Sequence, residues 1–350
     1  MSASEPSEPT EAEEPTEPQA RQLRNGIITL SVLAVLVVAL IFAVPGLHGV
    51  GRVVTRMTPG WLAAAVVFQI LSCVGYILIF LLVFDRTPLL FGARVALTEL
   101  AFGSAVSLGG AGSLAVGAWL LHGRELSLGE IAERSAVLFL VTTLINAITL
   151  VLAGLALGLG ILPGPTDPLL TLLPAGLVIV AVAALLAVPR ASDRFAMARG
   201  TGRRAALARG TARSIRDTRE ILLRPDWRLV GAFGYLWFNI AVMWACFRAT
   251  GYTPPIMVIV LAYQIGWLAN VLPVPGSVGV LEGSFVGMFV LYGAKATPVA
   301  AVSVVYHAIT LWITLTWGTI AFIRLQRDRH RHPEQRAAHE DSAESRAGGE

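Results

Sequence analysis

Six windows of this chain run almost free of charge for the length of a bilayer crossing. Ile27–Leu47, Trp61–Phe84, Ser135–Gly160, Leu169–Val188, Leu229–Phe247 and Pro298–Ile323 each reach the roughly 17–25 residues that span a hydrocarbon core. A core helix of a water-soluble domain is shorter and keeps one polar face; these windows keep none. Composition agrees, with 55% of the 350 residues hydrophobic and 14% charged, against about 25% charged in a typical soluble domain. The mean hydropathy is +0.67. The chain reads as an all-α, polytopic integral membrane protein with six full transmembrane helices. The first window follows Arg21 and Arg24 but is too long for the apolar core of a signal peptide, so it reads as a retained helix. Cys73 and Cys246 fall inside apolar spans and read as small packing residues.

Charge outside the windows orients them. Pro189–Arg228 carries 11 Arg against Asp193, Asp217, Glu220 and Asp226, an excess of seven. Arg-rich loops stay cytoplasmic, so this basic loop, residues 189–228, predicts that both termini lie in the cytoplasm of a cell-membrane protein. Part of it, roughly Arg203–Leu223, is expected as a helix on anionic headgroups, making membrane lipids its partners. Nucleic acid is not expected, since the loop has no interleaved aromatic residues. Residues 1–24, an acidic Ser/Thr/Glu/Pro tail, and residues 326–350 are expected to be disordered, because they have too little apolar surface to repay ordering. The membrane domain then covers residues 25–325.

Two further apolar stretches are broken. Arg94–Leu121 is interrupted by Ser107-Leu108-Gly109-Gly110-Ala111-Gly112-Ser113, and Ile256–Leu291 by Leu272-Pro273-Val274-Pro275-Gly276-Ser277-Val278-Gly279. Proline removes backbone donors and glycine weakens helical commitment. The arms left on either side are mostly too short to cross. Non-helical backbone at membrane depth needs protein or a water-filled cavity to satisfy it, so two re-entrant hairpins are expected. The breaks align without a gap, Gly109-Gly110-Ala111-Gly112 on Gly276-Ser277-Val278-Gly279, and each returning arm ends at a glycine, Gly123 or Gly293. Halves of about 61–160 and 229–323 therefore form an inverted repeat, the architecture of alternating-access transporters with a site at the repeat interface.

Leu272-Pro273-Val274-Pro275-Gly276-Ser277-Val278-Gly279-Val280-Leu281-Glu282-Gly283 resembles the second-hairpin pattern Pro-x-Pro-Gly-Gly-x-Gly-x-x-Glu-Gly of the flippase-like membrane domain of the lysylphosphatidylglycerol synthase family. The resemblance covers about residues 25–325. It implies a bilayer-embedded protein that moves a phospholipid or isoprenoid-linked lipid between leaflets, as a stand-alone member without the family's soluble aminoacyltransferase domain. Ser277 stands where the family usually has its second glycine, and Tyr306-His307 where many members have Tyr-Arg. The first hairpin lacks the proline and the acidic residue of some relatives.

Substrate contacts are expected around the second break, at Pro275, Gly276, Ser277, Gly279, Glu282 and the nearby Asn270, with Gly110 and Gly112 from the first and with His307 and Glu99. Glu282 and Glu99 lie in apolar stretches, where an ionised carboxylate costs roughly 2.5–3.5 kcal/mol or more. Glu282 suits a headgroup contact, a proton-coupling carboxylate, or a brace for freed backbone N–H groups. Glu99 suits a brace or an interfacial position. His307 can titrate near neutral pH, pair with Glu282, or be a hydrogen-bonded packing residue. Arg134 is expected to reach lipid phosphates. Asn146, Asn239 and Gln264 are candidates for interhelical hydrogen bonds. No phosphate-binding loop, nucleophile elbow or His-Glu-x-x-His pair occurs, so no catalytic residue, cofactor or metal is expected. A membrane-embedded lipid-modifying enzyme and a scaffold for a lipid or cell-envelope synthesis complex, with a biosynthetic partner protein, are the competing readings.

Overall fold

The computed structural model describes residues 48–105, 117, 121, 128–198, 203–223, 226–268 and 285–347. The chain divides after Thr55. The first unit contributes one short helix, α1 (His48–Thr55), whose last hydroxyl donates to the Arg52 carbonyl at 3.1 Å.

The second unit carries α2 (Pro59–Val83), α3 (Leu89–Ala105), α4 (Leu128–Gly158), α5 (Pro168–Ala198), α6 (Arg203–Leu223), α7 (Leu229–Ala249), α8 (Ile256–Leu268) and α9 (Ala296–Ala347). Residues 285–291 are also helical, and no strand occurs among the described residues. Proline opens α2 behind an extended Thr58, where its fixed φ suits the first helical position and its missing N–H has no intrahelical partner to lose. Five helices are long and apolar enough to cross a membrane: Pro59–Val83, Gly129–Gly158, Pro168–Ala187, Leu229–Ala249 and Ala296–Asp328. They coincide with five of the six sequence windows; the first window, Ile27–Leu47, lies outside the described residues. Leu169, Leu173, Leu177 and Val180 form an exposed stripe on α5, the last two 62% and 67% exposed. Apolar surface of that extent is costly in water and at no disadvantage against lipid tails.

The two broken stretches arrange their arms side by side. Gly117 lies so close to Glu99 that a Cβ there would stand 2.9 Å from the carboxyl, and Gly266 lies equally close to the Phe285 ring, at 2.8 Å. In one continuous helix these pairs would be about 27 Å and 28 Å apart along the axis. The arms therefore pack against each other as arms of a hairpin. The segments holding the breaks lie outside the described residues.

Packing between the halves follows a two-fold rule. If α2, α3 and α4 correspond to α7, α8 and α9, then α2 pairs with its own counterpart α7, the most extensive helix contact among the described residues, while α3 packs on α9 as α8 packs on α4. The cross-pairs α2 with α9 and α7 with α4 match in the same way. Along α2 and α7 the neighbours run in opposite senses, from Trp61–Trp244 through Phe68–Phe238 to Tyr76–Tyr235. The two helices thus lie antiparallel, the arrangement an inverted repeat requires of counterparts. Where they meet, a Cβ on Gly75 would fall 2.5 Å from the Tyr235 N and 2.8 Å from the Gly231 O. Only glycine lets the two backbones come this near.

Two polar segments are more ordered than their composition predicts. The Arg203–Leu223 stretch is a helix as expected, but α6 also packs on α4 and α5, burying Ser214, Ile215 and Thr218. The C-terminal stretch expected to lack structure instead continues α9 to Ala347. Its Ala, Glu, Gln and Arg residues are good helix formers, and extending an existing helix avoids the cost of nucleating one.

Candidate functional site

Gln69, Ser72, Cys73 and Tyr76 recur on α2 at helical spacing, so one face of an otherwise apolar helix is polar. That face meets Tyr235 and Asn239, one turn apart on α7. The Ser72 hydroxyl donates to the Tyr235 carbonyl at 2.9 Å, and the Asn239 amide donates to the Ser72 Oγ at 2.7 Å and to the same carbonyl at 3.0 Å. From α9, the Tyr306 hydroxyl donates to the Asn239 Oδ1 at 3.4 Å and lies 3.1 Å from the Tyr263 hydroxyl of α8. Gln69 donates to the Thr314 Oγ1 at 3.3 Å, while its own Oε1, buried, meets no donor. Gln264 of α8 donates to the Asn146 carbonyl of α4 at 3.3 Å. A polar seam thus runs along the boundary between the halves, in a region where unpaired polar groups cost several kcal/mol each.

Glu99 closes one end of this seam. It is 4% exposed, hydrogen-bonded to the Tyr76 hydroxyl, and shut in by Gly117 of the returning arm. The Tyr76 ring packs against Tyr235 at 5.2 Å, tilted by 56°. At the other end, His307 places Nδ1 2.9 Å from the Ser303 carbonyl one turn back, which directs that nitrogen to donate. Its ring meets Phe285 at 5.7 Å and Tyr306 at 5.2 Å. Of the residues expected at the site, only Glu99 and His307 are described, and each keeps its own partners. Asn270, Pro275, Gly276, Ser277, Gly279, Glu282, Gly110 and Gly112 lie outside the described residues, as does any pairing of His307 with Glu282.

Asn239 and Gln264 make the interhelical bonds expected of them. The Asn146 side chain instead donates to Thr142 in its own helix, at 2.9 Å. Arg134 departs from expectation. Rather than reaching phosphates, it donates to the Val83 carbonyl and to Asp85, both at 2.7 Å, and approaches Glu130 at 3.4 Å. The open carbonyls at the α2 C-terminus attract a cation, and two acids complete its shell. Arg228 caps the same end through the Leu81 carbonyl at 3.2 Å. Burial pushes the Asp85 carboxyl up, but the Arg134 hydrogen bond and charge, with Arg86 nearby, outweigh it and hold the group below its ordinary range. Arg94 with Asp328 and Arg213 with Glu133 belong to the same end of the bundle. At the opposite end, Arg248 sits 5.1 Å over Trp61 and 5.9 Å over Trp244. Among the described residues, no group of three or more His, Cys, Asp or Glu could hold a metal.

The four tyrosines of the seam were missed because hydropathy counts tyrosine among apolar residues; the 3–4 spacing of Gln69, Ser72 and Tyr76 was the signal available. A UPF0104 membrane protein of Methanothermobacter thermautotrophicus is 36% identical to this chain over 86 residues, 24% of each protein. The chain thus aligns with about a quarter of that relative. The family model of the lysylphosphatidylglycerol synthase TM region matches residues 28–318, spanning α2 through the membrane part of α9 with both hairpins. Family match and helical architecture agree that the chain belongs to the lysylphosphatidylglycerol synthase TM region family.

Proposed function

We propose that this protein moves a phospholipid or isoprenoid-linked lipid between the leaflets of the cell membrane. The observation that carries the reading is the polar seam of Ser72, Asn239, Tyr263 and Tyr306 between two antiparallel, exchange-packed halves. Inverted halves joined by broken helices are how transporters open a midplane site to either side in turn. A polar boundary between them offers a headgroup partners that hydrocarbon cannot. The family's link to a lipid synthase supports a lipid as the cargo. Both termini and residues 189–228 face the cytoplasm in this scheme. Exposed Arg213, Arg216 and Arg219 on α6 are then turned towards anionic headgroups, each worth about 1 kcal/mol near such a surface.

The test is a vesicle assay. Purified protein, reconstituted with a fluorescent phospholipid, is expected to expose inner-leaflet label to an external quencher faster than empty vesicles. Asn239→Leu, which removes the central link of the seam, is expected to slow that exchange. Protein that folds yet leaves exchange at the empty-vesicle rate for both phospholipid and isoprenoid-phosphate probes would favour the enzyme or scaffold readings.

A further inference from the structure

Cations at the two ends of the bundle are held in different ways. At the end that carries the basic loop, Arg86, Arg94, Arg134 and Arg213 each meet a carboxylate. At the opposite end Arg248, exposed in the last turn of α7, rests over Trp61 and Trp244. Those two rings meet edge to face at 5.2 Å. Lys295 lies over Tyr252 in the same manner, at 5.8 Å. Arg56 is brought to this end by the Thr58 N–H, which donates to the Ala249 carbonyl at 3.0 Å. Segments 56–60, 159–168, 248–256 and 292–297, which adjoin the helices here, contain Arg56, Arg248 and Lys295 against Asp167, an excess of two positive charges. A ring orients a cation through its quadrupole, but it carries no net charge to neutralise one.

The face of α7 below Arg248 suits an acyl chain. Trp244, Trp237, Phe233 and Val230 follow Arg248 at intervals of three, four or seven residues, so they share its side of the helix. Trp237, Phe233 and Val230 are exposed. Trp237 lies eleven residues from Arg248, about 16 Å by helical rise, against about 15 Å for one leaflet of hydrocarbon. We propose that Arg248 is a docking site for the phosphodiester of an anionic phospholipid whose acyl chain lies along this face. A guanidinium presents two parallel N–H groups to a phosphate. Held between two indoles, it has less side-chain freedom to lose on binding. Tryptophan is at home at headgroup depth, which puts the fork where the phosphate lies. A zwitterionic headgroup would bring its own ammonium into a region of positive excess, so the site selects lipids with a net negative charge. Docking of this kind stands apart from the transport reading, since it needs no lipid to cross.

Native mass spectra of the full chain, titrated in detergent with phosphatidylglycerol and phosphatidylcholine of matched acyl chains, test this. Wild type is expected to retain phosphatidylglycerol in preference. Arg248→Gln should weaken that binding about tenfold or more, as loss of a charged hydrogen-bond donor implies, and leave phosphatidylcholine unaffected. Trp244→Leu keeps the charge but loosens the guanidinium, and should weaken it by a smaller factor. This second arm gives a result even if Arg248→Gln does not fold. The Arg248→Gln loss should persist in an Arg213→Gln background, which separates the site from the basic face of α6. Equal retention of the two lipids by wild type, a preference that survives both α7 variants, or displacement of the lipid by inorganic phosphate overturns the proposal. Loss of a dimer in place of loss of lipid would give the face to a second copy and overturns it too. Selective binding in a protein that moves no lipid in the vesicle assay supports the site and removes the transport reading alone.

Discussion

Asn239 joins three helices through one amide, accepting from Tyr306 and donating to Ser72 and to the Tyr235 carbonyl. Hydrogen bonds inside a membrane average about 0.6 kcal/mol and reach about 1.7, so Asn239→Leu should cost about 1–2 kcal/mol of stability, read as a lowered midpoint in detergent unfolding. Tyr306→Phe should cost less, because its ring packing against Tyr263 and Phe285 survives. Asp85 behaves differently because it is half in water. Its folded-state carboxyl lies below the ordinary value of 3.8, held there by Arg134 against the upward push of burial. Its contribution is therefore complete above that ordinary value and is lost as pH falls through the lower, folded one. A stability profile of Asp85→Asn should lie below wild type at neutral pH and converge with it in strong acid. Parallel profiles would mean that Arg134 is held by the Val83 carbonyl and Glu130 alone.

Among the elements, α2 and α7 are the pair on which the seam depends. Gly75 and Gly231 bring their backbones together, and a Cβ on either would strike main-chain atoms that cannot rotate away. Overpacking of this kind costs about 1–3 kcal/mol. Gly75→Ala and Gly231→Ala should each destabilise the protein by that order and weaken the Ser72–Asn239 link. Gly176, which has open space around it on α5, should accept alanine with little loss. Unchanged unfolding midpoints for both the α2 and the α7 variant would show that the two backbones do not meet this closely. For α6 the amphipathic division matters: Ile215 is buried against the bundle while Arg213 is 65% exposed on its side chain and pairs with Glu133 at 3.2 Å. Ile215→Asp should release the helix and raise its susceptibility to proteolysis, whereas Arg213→Ala, losing an exposed pair worth about 0.2–1 kcal/mol, should not.

At the scale of the molecule, the charged cluster around Asp85, Arg134, Arg228 and Asp328 marks one end of the bundle and the Trp61–Trp244–Arg248 group the other. Cysteine labelling assigns the two sides. In a background with Cys73 and Cys246 replaced, a cysteine at Arg219, on the exposed face of α6, should react only with reagent admitted to the cytoplasmic side. One at Gly251, beyond α7, should react from outside. The reverse pattern would invert the orientation and leave the fold intact. Ser214 is unsuitable for this purpose, since it faces the bundle at 3% exposure.

Five membrane helices, the two sets of short arms and the α6 helix were all legible in the sequence. Chain-length apolarity, Pro/Gly interruption and clustered arginine act through local properties that need no knowledge of neighbours. The glycine pattern of the two breaks raised an inverted repeat as an expectation. Only tertiary structure decided that α2 and α7 pair with each other, α3 with α9 and α8 with α4, because which faces meet depends on glycine contacts between residues more than 150 positions apart. The same holds for the seam. Tyr76, Tyr263 and Tyr306 read as apolar in sequence, and become part of a polar boundary only when packing sets their hydroxyls against Glu99, one another and Asn239. Arg134 makes the converse point. Its sequence position suited a lipid phosphate, but the carbonyl end of α2, which folding brought beside it, is a nearer acceptor with a fixed geometry.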